Sequence, residues 1–267
     1  LSTQHKVHSM NRRILLKFGG NALSDKDDMN RFAQDVCTIS NAGFTPVIVH
    51  GGGPEISAEM ERRGMKALKV AGLRITDIDA LHVAEEVLKS LNSEIVQVFQ
   101  KAGCSVQGMS AEGIITASKK PPVLSDGKEV DLGYVGDVAS VNPQSIDSVL
   151  VSGNIPVIYP ICSDSNGLKL NVNADTVASG VAKAAGASEM VLVTDVPGIL
   201  NDGKRIPSLT LADVDNLIHS KVITGGMLPK VEACRAALLN GANTVYMLNG
   251  KEPHSLARRL INGEDCG

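Results

Sequence analysis

The chain has 267 residues, which is long enough for one large α/β domain or two lobes with a substantial buried core. Lys and Arg number 26 against 29 Asp and Glu, so the formal net charge is -3 and no overall basic field exists to hold a nucleic-acid backbone. No apolar run approaches the roughly 20 residues of a membrane span, and the N-terminal residues lack the apolar segment of a signal peptide. These features predict a soluble, cytoplasmic protein with no nucleic-acid or membrane partner.

Strand-like runs of β-branched and aliphatic residues alternate with helical patterns along the chain. The predicted strands span residues 14–18, 46–50, 105–109, 155–161, 190–194 and 244–248. The predicted helices, which carry apolar residues at helical spacing, span residues 28–41, 54–63, 77–101, 173–185, 211–219 and 228–240. This alternation predicts an α/β fold, a three-layer αβα sandwich around a mainly parallel central sheet.

Two further segments, residues 114–139 and 163–170, combine turn-forming residues with alternating polarity. We interpret both as β-hairpins that protrude from the sheet. No shift of composition marks a linker, so two lobes would have to be continuous through the sheet.

The five cysteines are scattered and form no CxxC pair, a pattern that fits neither a zinc site nor a disulfide framework. The histidines also lack metal-ligand spacing, so no protein-bound metal is predicted. We expect reduced thiols at Cys37, Cys104, Cys162, Cys234 and Cys266.

Charged residues and glycines follow several of the predicted strands. Lys17 lies at the end of the first strand, Gly51 to Gly53 follow the second, and Asp195 follows the fifth. Because ligands of parallel sheets bind beyond the carboxyl ends of the strands, these residues would share one rim. Pro54 suits the first turn of a helix, so the Gly52 and Gly53 amides would point along a helix dipole toward an anion.

Two lysines far apart in the chain, Lys17 and Lys230, each lie near paired glycines, and the segment 171–175 (NVNAD) lies between them. Glycine lets backbone N–H groups approach a phosphate without a Cβ in the way. Each run alone is more typical of a turn, and Lys17 alone would be as consistent with a solvated strand end. Together the runs predict a phosphoryl-transfer site assembled from distant strand ends.

The known phosphate-binding signatures of other folds are absent. No glycine run supplies the GxxxxGK[ST] of a P-loop, and no GxGxxG of a dinucleotide fold occurs. The catalytic-loop and DFG motifs of protein kinases are missing as well.

Five motifs in order resemble the amino-acid kinase family over residues 13–267. They are LLKFGGNA at 15–22, VHGGGP at 49–54, GLRIT at 72–76, NVNAD at 171–175 and TDVPGIL at 194–200. The combination of GLR with NVNAD resembles the branch that phosphorylates the γ-carboxylate of N-acetyl-L-glutamate in arginine biosynthesis. The resemblance implies ATP as phosphoryl donor, with Mg²⁺ held mainly by nucleotide oxygens and water.

The resemblance also implies roles for three catalytic residues. Lys17 would reach the transferring group and the acceptor carboxylate, and Lys230 would hold the nucleotide phosphates and the same transition state. Asp175 would order both lysines and offset their repulsion. No general base is needed, because the acceptor carboxylate is already ionised. On this view Lys17→Ala would abolish turnover with little loss of stability.

The acceptor would be bound by Arg74, Asn171, Gly52 and Gly53. By resemblance, Arg74 pairs bidentately with the substrate α-carboxylate, a geometry that lysine cannot reproduce, and Asn171 binds the same end. The residues alone leave other interpretations open. Arg74 also suits a surface ion pair, and Asn171 also suits a turn that closes a hairpin.

The nucleotide would be bound by residues in three segments. By resemblance these are Gly19, Gly20, Asp195, Val196, Pro197, Gly198, Ile199, Leu200, Val222, Ile223 and Thr224. Two residues within the motifs have structural interpretations. Asn173 is expected to cap the next helix, and His50 is expected to be hydrogen-bonded scaffolding.

We expect residues 1–10 to be a tag or disordered, residues 11–172 to form an acceptor-binding lobe, and residues 173–267 to form a nucleotide-binding lobe. The helix over 77–101 is the expected surface of an arginine-insensitive homodimer. Two alternative functions remain. One is a related kinase acting on another carboxylate, such as an aminoadipate derivative, and the other is a catalytically idle nucleotide or amino-acid sensor.

Overall fold

The computed structural model describes residues 12–19, 22, 25–125 and 127–267. The expectation for residues 1–10 and the nucleotide assignment of Gly20 lie outside these described residues.

The described chain alternates strands and helices from end to end. The strands are β1 (Arg12–Phe18), β2 (Phe44–His50), β3 (Lys69–Val70), β4 (Leu73–Arg74), β5 (Val106–Ser110), β6 (Ile115–Lys119), β7 (Val123–Ser125), β8 (Lys128–Val130), β9 (Val135–Val141), β10 (Ile155–Tyr159), β11 (Ile161–Ser163), β12 (Lys169–Val172), β13 (Glu189–Thr194), β14 (Leu200–Asn201), β15 (Lys204–Arg205) and β16 (Thr244–Asn249). The helices are α1 (Lys26–Asn41), α2 (Gly53–Arg62), α3 (Ile78–Lys101), α4 (Gln144–Val151), α5 (Ala174–Ala185), α6 (Leu211–His219), α7 (Met227–Leu239) and α8 (Ser255–Asn262).

The central sheet has the order β16-β13-β1-β2-β10-β5, and all neighbouring strands in it are parallel. Each of the six predicted strands therefore contributes one strand to this sheet, and the α/β sandwich is confirmed. In the register, Lys17 lies beside Val49 of β2 and Leu192 of β13. Parallel strands end at one edge, so the residues that follow β1, β2 and β13 meet there.

Alternating side chains of the strands fill two cores, one on each face of the sheet. Leu15 and Leu192 pack on one face with Val177 of α5, while α4 and α7 cover the same side. Leu16 packs on the opposite face with Phe32 of α1, next to α3 and α8. Both faces of a parallel sheet are covered, as the nearly continuous apolar strands require.

The two predicted hairpins are present, but they do not protrude separately. Strands β6 and β9 pair antiparallel, with the small β7–β8 hairpin between them, and β11 pairs antiparallel with β12. Parallel pairing of β12 with β9 and of β11 with β6 joins these strands into a small closed barrel beside the sheet.

Three element predictions need correction. The strand predicted over 155–161 divides into β10 and β11, which belong to different sheets, because Pro160 interrupts the run. Helices α4 and α8 were not predicted. Neither begins with a side-chain N-cap, since Pro143 and His254 occupy those positions without a capping hydrogen bond. By contrast, Asn173 caps α5 as expected and accepts from the Asp175 and Thr176 amides.

The expectation that all five thiols are reduced is wrong for one pair. Cys37 of α1 and Cys104, just after α3, form a disulfide across 67 residues of sequence. Long separation gives no spacing signal, and the two residues meet because α1 packs beside α3. Burial raises the pKa of the free Cys162 and Cys234 thiols to about 12, so both stay protonated.

The apolar residues of α3 face the interior of the chain. Leu88 and Ile95 are among its buried positions, whereas Glu86 and Lys89 are exposed. The apolar face that suggested a dimer surface is therefore already covered, and the dimer stays a prediction. Among the described helices, none is both long enough and apolar enough to span a membrane.

Gly133 ties the barrel to the segment that precedes α3. Thr76 N–H donates to Leu132 O at 2.8 Å, and Tyr134 N–H donates to Thr76 O at 2.7 Å. Gly133 has φ +76°, and a Cβ there would lie 2.2 Å from Thr76 O. Only glycine satisfies both constraints.

Gly133→Ala should therefore lower the free energy of unfolding by about 2 kcal/mol more than Gly127→Ala, because overpacking against backbone adds to the shared strain of positive φ. Gly127 is a matched control, since its φ is also +76° but nothing lies within 4 Å of a Cβ placed on it. Urea unfolding of both variants measures the difference. Equal losses would show that the close approach to Thr76 is unimportant.

Candidate active site

A cleft of about 390 Å³ opens at the carboxyl edge of the central sheet. It gathers all the predicted catalytic and acceptor-binding residues and two of the predicted nucleotide-binding residues. These are Lys17, Gly19, Gly52, Gly53, Arg74, Asn171, Asp175, Asp195 and Lys230. Residues up to 213 positions apart in sequence thus line one cavity, as the shared strand edge predicts.

Lys17 and Asp175 form a buried ion pair at the floor of this cleft. Their Nζ and Oδ1 atoms are 2.6 Å apart, and their side chains are only 9% and 11% exposed. Asp175 lies in the first turn of α5, where the helix dipole also favours a carboxylate. Because removal of one partner leaves a buried charge, the pair argues against the expectation that Lys17 could be replaced with little loss of stability.

Lys230 reaches the same cleft from the first turns of α7. Its Nζ makes a long hydrogen bond of 3.5 Å to Gly226 O, and no carboxylate pairs with it in the described part of the chain. One lysine is therefore held by a carboxylate and the other is available to a ligand. Their catalytic roles stay predictions.

The glycines after β1 and β2 bring two backbones together beside Lys17. A Cβ on Gly19 would lie 3.2 Å from the Gly51 backbone and 3.5 Å from Lys17 Nζ. A Cβ on Gly52 would lie 2.8 Å from Leu88 Cδ2. Glycine at these positions lets the lysine and the backbone amides border the same small volume.

Arg74 is buried and has only uncharged partners. Its Nη2 donates to Gly53 O at 3.0 Å and to Ser57 Oγ at 2.8 Å, and its Nη1 lies 3.2 Å from Met60 Sδ. Burial lowers the pKa of Arg74, although a guanidinium remains protonated at neutral pH. The surface ion pair that the sequence left open is not formed among the described residues. A buried cation without a counter-ion favours an anionic ligand.

Asn171 lies on β12 at the wall of the cleft. Its Nδ2 donates to Thr76 Oγ1 at 3.3 Å, and its backbone N–H donates to Tyr134 O. The strand pairs with both β11 and β9, so Asn171 belongs to the barrel rather than to a turn. Asn171 lines the same cleft as Arg74, and its role in binding the acceptor stays a prediction.

The residues predicted to bind the nucleotide do not all line this cleft, unlike the predicted catalytic and acceptor-binding residues. Asp195 and Gly19 line the cleft, whereas Gly198 and Ile199 line a neighbouring cavity between α6, α7 and β16. The others are not among the residues that line the cleft: Val196, Pro197, Leu200, Val222, Ile223 and Thr224. Their nucleotide role stays a prediction.

Two polar side chains that line the cleft were not predicted from the sequence. Ser57 follows Gly53 by one helical turn on α2, and its Oγ donates to Gly53 O at 2.9 Å while accepting from Arg74. Lys69 lies opposite Arg74 in the β3–β4 hairpin, which we call the flap (Lys69–Arg74). The helical spacing would have revealed Ser57, and the Ala71-Gly72 turn would have revealed the flap.

The flap reaches across the cleft to α7. Ala71 and Gly72 form its turn with φ angles of 49° and 78°. A Cβ on Gly72 would lie 3.9 Å from Pro229 Cγ, next to Lys230. The turn of the flap therefore faces the first turn of α7 across a gap that one methyl group on Gly72 would fill.

His50 lies directly behind the glycine run and is completely buried. Its Nδ1 is 2.8 Å from Gly51 O, and its Nε2 is 3.0 Å from Asn92 Nδ2. Burial lowers the pKa of His50 from 6.5 to about 4. The ring is therefore neutral at physiological pH, in agreement with the scaffolding interpretation.

The family model of the amino acid kinase family matches residues 12–249. The chain belongs to this family. Two individual relatives are similar to the chain over almost its whole length. The acetylglutamate kinase of Methanothrix thermoacetophila is 40% identical over 261 residues, which are 95% of this chain and 90% of that protein. The acetylglutamate kinase of Methanococcoides burtonii is 40% identical over 265 residues, which are 95% of this chain and 87% of that protein.

Solved structures agree with the family. The crystal structure of smu.665 from Streptococcus mutans UA159 superposes with a TM-score of 0.77 at 31% identity, covering 89% of this chain and 95% of that one. The parallel sheet between two helical layers is therefore the fold of this family, and the protein is a kinase.

The buried ion pair generates a prediction about stability. Lys17→Met should lower the free energy of unfolding by about 3 kcal/mol, because Asp175 is left as an unpaired buried carboxylate. Adding Asp175→Asn should recover most of this loss, since the uncharged amide is cheaper to bury. Urea unfolding of wild type, both single variants and the double variant measures the coupling. Additive losses would contradict the pair.

The buried histidine generates a prediction about pH. The unfolded chain binds a proton on His50 near pH 6.5, but the folded protein does so only near pH 4. The stability from this group is thus fully present above pH 6.5 and is lost as pH falls toward 4. The expected loss is about 3 kcal/mol. Urea unfolding between about pH 7.5 and about pH 4 should show this decline in wild type and a flatter curve in His50→Leu.

Proposed function

We propose that this protein transfers the γ-phosphoryl group of ATP to the γ-carboxylate of N-acetyl-L-glutamate, the reaction of an acetylglutamate kinase. The observation that carries the proposal is the single cleft in which Lys17, Lys230 and Arg74 converge above glycine amides. The relatives at 40% identity over most of the chain support the choice of substrate. The product, N-acetyl-L-glutamyl 5-phosphate, belongs to arginine biosynthesis.

The cleft suits the electronic demands of this transfer. One oxygen of the acceptor γ-carboxylate attacks the γ-phosphorus, a new P–O bond forms, and the bond to the β–γ bridging oxygen breaks and leaves ADP. Negative charge spreads over the equatorial oxygens in between. Lys17 and Lys230 would stabilise that charge from opposite sides, and Asp175 would keep Lys17 in place. No proton has to be removed from the acceptor at neutral pH.

Arg74 would select the acceptor. Its guanidinium lies buried at the end of the cleft that also holds Asn171, and its partners are all neutral. A free α-carboxylate would supply the missing counter-charge through two parallel hydrogen bonds. A carrier-linked acid has an amide at this place and would leave Arg74 without an anion, which argues against a carrier-linked aminoadipate.

The nucleotide would occupy the α7 side of the cleft, with its phosphates near Lys230 and Gly19. Residues 173–267 would then form the nucleotide lobe and residues 11–172 the acceptor lobe. Mg²⁺ would be held mostly by nucleotide oxygens and water. The cleft carboxylates fit this arrangement, because Asp175 is engaged by Lys17 while Asp195 is exposed and makes no ion pair with a described residue. The enzyme would act in the cytoplasm as an arginine-insensitive homodimer.

Hydroxylamine trapping tests the reaction. Purified protein with ATP, Mg²⁺ and N-acetyl-L-glutamate should form a hydroxamate, because hydroxylamine attacks the acyl phosphate. Glutamate with a free amino group and an α-amide of N-acetylglutamate serve as comparison acceptors. A hydroxamate from another acid, with none from N-acetylglutamate, would refute the substrate, and none from any acid would favour the idle sensor.

Arg74→Lys tests the selection of the acceptor in the same assay. The change keeps the charge but removes the planar fork, so the KM for N-acetylglutamate should rise about 10- to 100-fold while the KM for ATP stays within about twofold. Arg62→Lys is the matched control, since Arg62 lies on the exposed side of α2 and pairs with Glu59. Equal rises in both KM values would show that Arg74 acts on the whole cleft rather than on the acceptor.

A further inference from the structure

Each backbone group of Gly51 is held by a neighbour. Its N–H donates to Phe18 O of β1 at 2.9 Å, and its carbonyl oxygen lies 2.8 Å from His50 Nδ1. The His50 ring is itself fixed, because it stacks on the Phe18 ring with centroids 6.1 Å apart and is fully buried. The first glycine after β2 is therefore held by β1 through its N–H and by the buried His50 ring through its carbonyl oxygen.

Asn92 of α3 decides which nitrogen of His50 carries the proton. Asn92 Nδ2 donates one hydrogen to Val157 O at 2.9 Å and directs the other at His50 Nε2, 3.0 Å away. Nε2 must then accept, and in the neutral ring the proton resides on Nδ1. His50 Nδ1–H consequently donates to Gly51 O.

The sheet leaves a dedicated space for Asn92. A Cβ on Gly108 of β5 would lie 2.1 Å from Asn92 Oδ1, so only glycine lets this amide reach the strands. Asn92 is 5% exposed, and such a buried amide is costly unless it is hydrogen-bonded. His50 and Asn92 thus form a buried polar contact within an apolar layer.

The peptide between Gly51 and Gly52 is planar, so the contact of His50 with the Gly51 carbonyl also fixes the direction of the Gly52 N–H. In a trans peptide the carbonyl of one residue and the N–H of the next point in opposite directions. Since the Gly51 carbonyl points back at the buried His50 ring, the Gly52 N–H points away from it. Gly52 lines the cleft, and no described residue accepts a hydrogen bond from its N–H.

We infer that His50 and Asn92 are positioning residues that hold the Gly51–Gly52 peptide with its N–H directed at the phosphoryl group in transfer. The inference rests on the proposed function for the identity of that group. A donor fixed before the reaction stabilises developing charge without reorganising, which is the usual source of electrostatic catalysis. His50 touches no substrate and moves no proton. It acts only through the orientation of one peptide.

Two variants of equal shape separate this role from simple packing. In His50→Asn the amide nitrogen occupies nearly the place of Nδ1 and can still donate to Gly51 O. In His50→Leu the side chain has the same size and branching as Asn but no donor. Both variants lose the ring, its stacking on Phe18 and its contact with Asn92.

The kcat for N-acetylglutamate should be at least about tenfold lower in His50→Leu than in His50→Asn, because a single preorganised donor is worth about 100-fold or more when it is lost completely. The KM for ATP should be equal in the two variants. Folded variants with the same kcat would overturn the inference. Absence of turnover in wild type would instead refute the proposed function.

A spectroscopic readout does not depend on turnover. Glycine labelled with ¹³C and ¹⁵N reports the chain's four Gly–Gly peptides selectively, at 19–20, 51–52, 52–53 and 225–226. The 51–52 signal should match wild type more closely in His50→Asn than in His50→Leu, with 225–226 unchanged as control. Identical 51–52 signals in both variants would count against the inference.

If neither variant folds, the wild-type protein still decides the question. Its ¹⁵N-histidine spectrum should show one buried neutral ring that is protonated at Nδ1 and bare at Nε2. The opposite tautomer would overturn the inference, because Nδ1 could then donate nothing to Gly51 O.

Discussion

The buried ion pair of Lys17 and Asp175 constrains everything around it. Two charges taken out of water at 2.6 Å persist only when they stay paired and the surrounding backbone leaves room for both. Gly19 leaves that room, since a Cβ on it would lie 3.2 Å from the Gly51 backbone and 3.5 Å from Lys17 Nζ. The cap of Asn173 starts α5 at the residue that puts Asp175 opposite Lys17. The end of β1, the glycine that follows it and the start of α5 are therefore parts of one arrangement.

Positive charge is in excess around the cleft. Four cationic side chains line it, Lys17, Lys69, Arg74 and Lys230, against the carboxylates Asp175 and Asp195. This local excess of positive charge is opposite in sign to the formal net charge of the whole chain, which is -3. The local excess of positive charge attracts anions into the cleft, which is where a nucleotide and a dicarboxylic acid have to meet.

Much of the fold follows from patterns within short windows. The four inner strands β13, β1, β2 and β10 are nearly continuous apolar runs, so their sequences predict burial on both faces of the sheet. The same holds for α5, where Asn173 signals the helix start and Asp175 the favourable first turn. Helices α4 and α8 carry no such signal at their starts, and each spans only 8 residues, which is too short for helical spacing of apolar residues to be a clear signal.

The candidate site divides in the same way. Lys17, Gly52 and Asp195 were predictable because strand ends of a parallel sheet must share an edge. The neutral surroundings of Arg74 were not, since they depend on how α2 lies against the flap. The disulfide between Cys37 and Cys104 also depends on the packing of two helices, and the separation of the two cysteines in the sequence does not predict that packing. Contacts between elements distant in sequence are the part that residue patterns leave undetermined.

The gap between the flap and Pro229 has a consequence for the mouth of the cleft. A Cβ on Gly72 would lie 3.9 Å from Pro229 Cγ, an ordinary van der Waals distance, so glycine leaves open a space that one methyl group would fill. Among the described residues, no backbone hydrogen bond joins the flap to α7. The entrance between them is therefore bordered by a glycine and a proline ring, and its width depends on the absence of a single carbon atom.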